Sequence, residues 1–233
     1  MKIPRALHSW SVTPRQAVAI QRKLAERVIR TGTVRGPRWI AGVDAAYVAG
    51  GAQGLCIAGV VLWDRKTRQI AEQHVIRAAV HFPYVPGLLS FREAPAILKV
   101  LRRLKIEPDL FLFDGQGIAH PRRFGLASHV GLLIDRPSIG CAKSLLIGDY
   151  IEPESQRGSK TALGHRDETI GMVVRTRDDT KPLYVSIGHR ISLRSAVGLV
   201  LDCCTRFRLP EPTRLADRLV AQARSPQAVA PRI

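Results

Sequence analysis

A chain of 233 residues is long enough to bury a core without disulfide or metal staples, which excludes a mini-protein scaffold, a collagen and a long repeat array. Lys and Arg number 36 against 19 Asp and Glu, a net charge of +17, while 45% hydrophobic and 24% charged residues are ordinary globular values, so the excess decorates a folded body and an anionic partner is expected. Cys56, Cys141, Cys203 and Cys204 include no Cys-x-x-Cys pair, no run approaches the length of a membrane span, and Arg5, His8 and Arg15 fall where a signal peptide needs an apolar stretch. A zinc ribbon, a secreted disulfide frame and a membrane partner are thereby disfavoured, and a cytoplasmic protein is expected.

The first element starts at Thr13-Pro14-Arg15-Gln16, where a capping hydroxyl, a proline at the first helical position and Gln three residues on form a capping box. Ala17, Ile20, Leu24 and Val28 recur at helical spacing, with Arg15, Arg22, Lys23, Arg27 and Arg30 elsewhere on the helix. Residues 1–36 carry eight Lys and Arg against the single Glu26, a charge that suits a phosphate-facing surface and a solvated face equally. Residues 39–48, 55–63 and 70–76 read as three strands of an antiparallel meander, the first turn marked by Gly50, Gly51 and Gly54. Strand and helix then alternate: a helix at 91–105, a short buried strand at 109–114, a helix at 123–133 and a strand at 136–141. Residues 169–176 and 181–187 read as a hairpin around Asp178-Asp179, followed by a helix at 193–205 and a last one after Pro210 and Pro212. No repeat, low-complexity segment or composition break marks a linker, so one domain over residues 1–233 is expected, with a frayed tail from Ser225. The fold class is α/β: one mixed central sheet, an antiparallel meander plus parallel strands, flanked by helices.

Asp44 lies inside an otherwise apolar strand pattern, where an ionised carboxylate is most costly and needs compensation from a partner or a function. Asp114 closes Leu110-Phe111-Leu112-Phe113-Asp114 ahead of Gly115, which is also the pattern of a plain Asp-Gly turn. Two carboxylates at strand ends inside so basic a chain point to a divalent metal held beside phosphate. Glu93 is the third candidate; as the last residue of Ser90-x-x-Glu93 it also reads as a capping-box Glu, although Pro95 makes that box doubtful. Pro83-Tyr84-Val85-Pro86 is a stiff, aromatic-tipped turn, equally suited to packing a core and to wedging between stacked bases. Gly115, Gly117 and Gly125 allow backbone to approach a flat ligand closely, and Lys143 lies just past a strand end, where a cation could hold a phosphate. A Rossmann site is excluded by His120 at the third glycine position of Gly115-x-Gly117, and the chain lacks a P-loop, a Gly-x-Ser-x-Gly elbow and a His-Glu-x-x-His motif.

At these residues the sequence resembles the endonuclease V family. The matching blocks are Ala41-Gly-Val-Asp-Ala-Ala-Tyr47, Phe82-Pro-Tyr-Val-Pro-Gly-Leu-Leu-Ser-Phe-Arg-Glu93, Asp114-Gly-Gln-Gly-Ile-Ala-His-Pro-Arg122, Gly125-Leu-Ala-Ser-His129, Ser138-Ile-Gly-Cys-Ala-Lys-Ser144, Tyr184-Val-Ser-Ile-Gly-His-Arg190 and Leu209-Pro-Glu-Pro-Thr-Arg-Leu-Ala-Asp217. The resemblance implies an RNase H-like fold and a deoxyinosine-directed repair nuclease. It implies Mg²⁺, with Mn²⁺ as a substitute, held by Asp44, Glu93 and Asp114, with Asp217 near them and Lys143 at the scissile region. It makes Pro83, Tyr84, Val85 and Pro86 the strand-separating wedge, and Leu89, Gly115, Gly117, His120, Gly125, Leu126 and Gly140 the pocket for a flipped hypoxanthine. The implied partner is DNA containing deoxyinosine, with inosine-containing RNA a second candidate, and the implied state is a monomer. Two departures stand out: Gln116 where His is frequent and Ile187 where Pro is frequent. The rival readings are an RNase H-like nuclease that recognises a junction or flap, and a nucleic-acid-binding protein without catalysis.

Overall fold

The computed structural model describes residues 1–48 and 54–224; Gly50, Gly51 and the tail from Ser225 lie outside the described residues. The Thr13 box forms as the sequence predicts, with Gln16 N–H donating to Thr13 Oγ1 at 3.3 Å and Thr13 N–H donating to Gln16 Oε1 at 2.8 Å. It opens α1 (Pro14–Ala25), which buries Ala17, Gln21 and Leu24. The meander follows as β1 (Trp39–Val48), β2 (Leu55–Asp64) and β3 (Gln69–Ala79), both pairings antiparallel.

The next helix, α2 (Leu89–Leu101), begins two residues before the expected start at Phe91 and ends before the expected Lys105. Ser90 does not cap it. Leu88 N–H donates to the Val85 carbonyl and Phe91 N–H to the Leu88 carbonyl, so the proline-rich turn runs straight into the helix and Pro95 is held inside it. The capping reading of Glu93 is therefore corrected. Ser90 Oγ instead lies 2.9 Å from His129 Nδ1, and His129 Nε2 lies 2.8 Å from His8 Nε2, a relay that ties the N-terminal segment to the first turn of α2.

Every residue of β4 (Leu110–Phe113) is buried, as is every residue of α3 (Leu126–Ile134). The expected helix at 123–133 starts later because Arg123 adopts φ 55° in the preceding turn and Gly125 takes the N-cap. After β5 (Ser138–Ala142) comes an edge strand that periodicity does not announce, β6 (Lys160–His165), in which Leu163 alone is buried. The predicted hairpin is β7 (Glu168–Val174) with β8 (Leu183–His189), and α4 (Leu193–Cys203) and α5 (Glu211–Arg224) complete the order.

Among the described residues, eight strands form one sheet in the order β3-β2-β1-β4-β5-β8-β7-β6. The run from β3 to β5, antiparallel and then parallel, is the RNase H-like arrangement; β8, β7 and β6 extend it as antiparallel partners. Side-chain alternation on β4 splits the core: Leu110 and Leu112 join Ile40 and the α4 residues Val197 and Val200 on one face. Phe111 and Phe113 join Ala41, Val43 and the α2 residues Ile97 and Leu101 on the other. A central strand buried on both faces has no room for polar side chains until it ends, and Asp114 is the first residue past the end of β4. Among the described residues, no helix is long and apolar enough to cross a membrane.

Candidate active site

Parallel pairing of β1 with β4 matches Val43 to Phe113, and Asp114 N–H donates to the Val43 carbonyl at 3.1 Å. That bond closes the ladder, so Asp44 and Asp114 are the next residues on neighbouring strands. Asp44 shares its strand face with Ile40 and Gly42, and Asp114 shares its own with Leu110 and Leu112, so both carboxylates emerge on the same side of the sheet. The carboxyl end of parallel strands is a common location for a ligand site in an open α/β sheet.

Helix α5 covers that side, and glycine makes its approach feasible. A Cβ on Gly42 would fall 2.0 Å from the backbone of Pro212, and one on Gly59 would fall 2.6 Å from the Val220 side chain. The close contact carries Asp217 to Lys143, whose Nζ lies 2.5 Å from Asp114 Oδ2 and 3.3 Å from Asp217 Oδ2. Glu93 enters from α2 and is buried, with 6% of its surface exposed.

The electrostatics tie these groups into one cluster. Burial, reinforced by the charges of Asp114 and Asp217, pushes the Asp44 carboxyl up to about 7. Burial, reinforced by Asp44, pushes Glu93 up to about 8. Burial also raises Asp114, against the bond and charge of Lys143. For Lys143 burial acts downward, but the pull of Asp114 and Asp217 outweighs it and its ammonium is held above the usual lysine range. The donor set is all oxygen, and ionising all of its acids would need positive charge beyond that of Lys143, which fits a hard divalent cation. Among the described residues no three His, Cys, Asp or Glu side chains are closed on one point in metal-holding geometry. Asp114 and Asp217 are gathered on Lys143, and a cation would have to draw them together with Asp44 and Glu93.

A cavity of about 200 Å³ opens between the α2 start, the loop after β4 and the turn before α3. Of the residues singled out from sequence, Tyr84, Val85, Pro86, Leu89, Gly115, His120, Gly125 and Leu126 line it. Pro83 stands outside the lining. Gly117 and Gly140 lie behind the wall: a Cβ on Gly117 would fall 2.0 Å from the Ile187 carbonyl, and one on Gly140 would fall 2.4 Å from Gly117 N, so both serve backbone packing. Tyr84 sits at the mouth with 73% of its surface exposed. His120 is buried and neutral, pushed down to about 4 chiefly by burial; its Nδ1 accepts from Arg122 N–H, so Nε2 carries the proton and donates to the Gly87 carbonyl at 2.9 Å.

Sequence reasoning missed Gln21, Gly87, Ser90, Phe124 and Leu146 in the wall. Leu146 is 47% exposed, and an exposed leucine in a loop next to Lys143 is the signal that could have found it. Gln116, noted as a departure, also lines the cavity; its Nε2 donates to the Ser144 carbonyl at 3.1 Å, and its buried Oε1 has no hydrogen-bond partner among the described residues.

The sequence profile of endonuclease V matches residues 22–218 of the chain. An endonuclease V of Gloeobacter violaceus is 48% identical over 228 residues, covering 95% of this chain and 92% of that one. The endonuclease V crystal structure from Bacillus subtilis superposes with a TM-score of 0.92 at 32% identity, covering 96% of this chain and 97% of the other. The Ciona intestinalis endonuclease V, solved as a D234N variant in complex with a 23mer DNA containing an inosine followed by a ribo-adenosine, gives a TM-score of 0.80 at 26% identity, covering 91% and 98%.

Proposed function

The chain belongs to the endonuclease V family and is a nuclease, and on that premise we propose that it is a Mg²⁺-dependent repair enzyme for deaminated purine. It flips deoxyinosine from duplex DNA and cuts the same strand on the 3′ side, one nucleotide beyond the lesion, leaving 3′-hydroxyl and 5′-phosphate ends. It works as a single-domain monomer over residues 1–233, in the cytoplasm, with inosine-containing RNA as a second substrate candidate. The observation that carries this reading is the meeting of Asp44, Glu93, Asp114 and Asp217 in one electrostatic cluster, with a cavity opening at Gly115, the residue after Asp114. The inosine-containing DNA in the Ciona intestinalis complex supports the substrate class.

Asp44, Glu93 and Asp114 are the residues that would hold Mg²⁺, with Mn²⁺ as a substitute; bound there, the ion supplies Lewis-acid polarisation of the phosphate and a lower pKa for an attacking water. The rest is the work of the chain itself. The Pro83-Tyr84-Val85-Pro86 turn pushes into the stack, and an inosine pair, already weak, costs least to open. The cavity takes the extruded base. Backbone amides around its glycines read position six, where hypoxanthine offers an acceptor and adenine a donor. Neutral His120 holds the cavity wall through Gly87 and adds no charge beside the base. Lys143, shared between Asp114 and Asp217, is a cation within reach of the phosphate.

The test is a nicking assay on one inosine in matched DNA and RNA duplexes, with Mg²⁺ and with chelator. Nicking one nucleotide 3′ of the inosine, lost in chelator, is the expected result. Preference for an unmodified branched duplex would make it a structure-specific nuclease, and binding without nicking would make it a non-catalytic protein.

Tyr84→Ala is expected to weaken binding to inosine-containing duplex by about tenfold to a hundredfold, since base–aromatic stacking contributes about 1–3 kcal/mol. Affinity for undamaged duplex should change much less, because it rests on phosphate contacts. An equal loss on both duplexes, in a direct binding titration, would reduce Tyr84 to a packing residue.

A further inference from the structure

We propose that Gln21, on α1, is a positioning residue for the wedge: it pins the turn that carries Tyr84 through the carbonyl oxygen of Gly87. This rests on the reading of that turn as the wedge.

The turn is fixed at both ends and free at its tip. At its start, the Phe82 carbonyl accepts from Arg92 Nη1 at 2.7 Å. At its end, the Gly87 carbonyl accepts from Gln21 Nε2 at 3.0 Å, from His120 Nε2 at 2.9 Å and from Arg122 Nη2 at 2.7 Å. Tyr84, between these anchors, is largely exposed.

Gln21 is the member that ties the Gly87 anchor to Arg122 and to the cavity wall. Only 1% of its surface is exposed, so every polar atom of its amide must find a protein partner. Its Oε1 accepts from Arg122 Nε, and its Nε2 donates a second bond, at 3.2 Å, to the Phe124 carbonyl in the cavity wall. The same amide therefore orients the arginine, holds the wedge turn and fixes the wall opposite the wedge. A glutamine on the inner face of a basic amphipathic helix is otherwise hard to explain, because helix packing would favour an apolar side chain there.

Pushing an aromatic side chain into a base stack loads the turn from its tip, so a turn that yields at Gly87 loses the force needed to open a pair. The same load is absent when the base is already unpaired. The hold on Gly87 is thus needed for inosine in duplex and not for inosine in a single strand, whereas the bond to the Phe124 carbonyl in the cavity wall serves both.

The experiment compares wild type with Gln21→Met, which keeps length and volume but removes both donors and the acceptor. Single-turnover nicking of inosine in duplex DNA is expected to fall about tenfold, the effect of losing buried hydrogen bonds, while nicking of inosine in single-stranded DNA falls by about threefold at most, the share owed to the cavity wall. A 2-aminopurine placed next to the inosine reports unstacking directly, and its fluorescence rise on duplex binding should shrink in the variant. If Gln21→Met does not fold, Gln21→Glu keeps the acceptor for Arg122, removes the amide donors and should give the same split. Equal losses on duplex and single strand, or no loss on either, would overturn the proposal. A wild-type protein that fails to nick inosine in either form would instead overturn the reading of the site on which it rests.

Discussion

Asp44→Ala is expected to abolish nicking of inosine-containing duplex, by on the order of a thousandfold or more, while binding of the same duplex stays within about threefold. The size follows from the position of Asp44. Its carboxyl faces the charges of Asp114, Asp217 and Lys143, and it acts on Glu93, arriving from the other side of the sheet, more strongly than Asp114 does. Without it the site loses the acid that faces Asp114 and is most strongly coupled to Glu93, and with that a carboxylate proposed to hold the ion. The cavity and the wedge are untouched, since Asp44 is not part of the cavity lining. Stability should not suffer either. A carboxyl pushed up to about 7 is a net cost to the folded state at neutral pH, and alanine removes that cost from a strand position already flanked by small residues. Duplex nicking and a binding titration on one preparation check the result; a variant that cuts at the wild-type rate would show that the metal assignment is wrong.

What the sequence could and could not reveal about this site divides along a physical line. Asp44 and Asp114 were legible because a charged residue inside or ending a buried apolar run breaks a two-residue pattern, and the structure gives both a place at the end of the paired strands. Glu93 was ambiguous because a capping box and a functional carboxylate use the same residue types; the Val85 to Leu88 turn, which starts the helix early, removes the capping alternative. The edge strand β6 was illegible because one buried residue in six makes no alternation. Nor could the sequence show which glycines line a cavity and which sit behind its wall. Gly115 and Gly140 have the same local chemistry, and only the pairing of β5 against the loop after β4 separates them. Gln21 was hidden for a related reason: its partners are carbonyl oxygens and an arginine far along the chain, and backbone acceptors leave no mark on residue type.

Mg²⁺ affinity is expected to carry the pH dependence of this enzyme. Cations bind the ionised carboxylates, yet burial and mutual repulsion raise Asp44 from a usual value near 3.8 to about 7 and Glu93 from near 4.5 to about 8 in the metal-free protein. Below neutral pH protons therefore occupy the groups that a cation needs, and each proton released on binding makes apparent affinity change by up to tenfold per pH unit. The Mg²⁺ concentration for half-maximal nicking should fall by about tenfold to a hundredfold between pH 6 and pH 7 and level off above about pH 8, with saturating Mg²⁺ at pH 6 recovering most of the rate. Stability follows with the opposite sign. A group whose folded pKa is raised binds more protons folded than unfolded, so its contribution is present below the unfolded value and is lost as pH rises through the folded one. Metal-free protein should thus lose stability from this cluster between about pH 4 and pH 8, and Mg²⁺ should restore it most at the upper end, where the acids are charged and unneutralised. Thermal unfolding with and without Mg²⁺ across that range measures this without any substrate. An equal Mg²⁺-induced rise in Tm at pH 5 and pH 8 would show that the ion is held elsewhere than by Asp44 and Glu93.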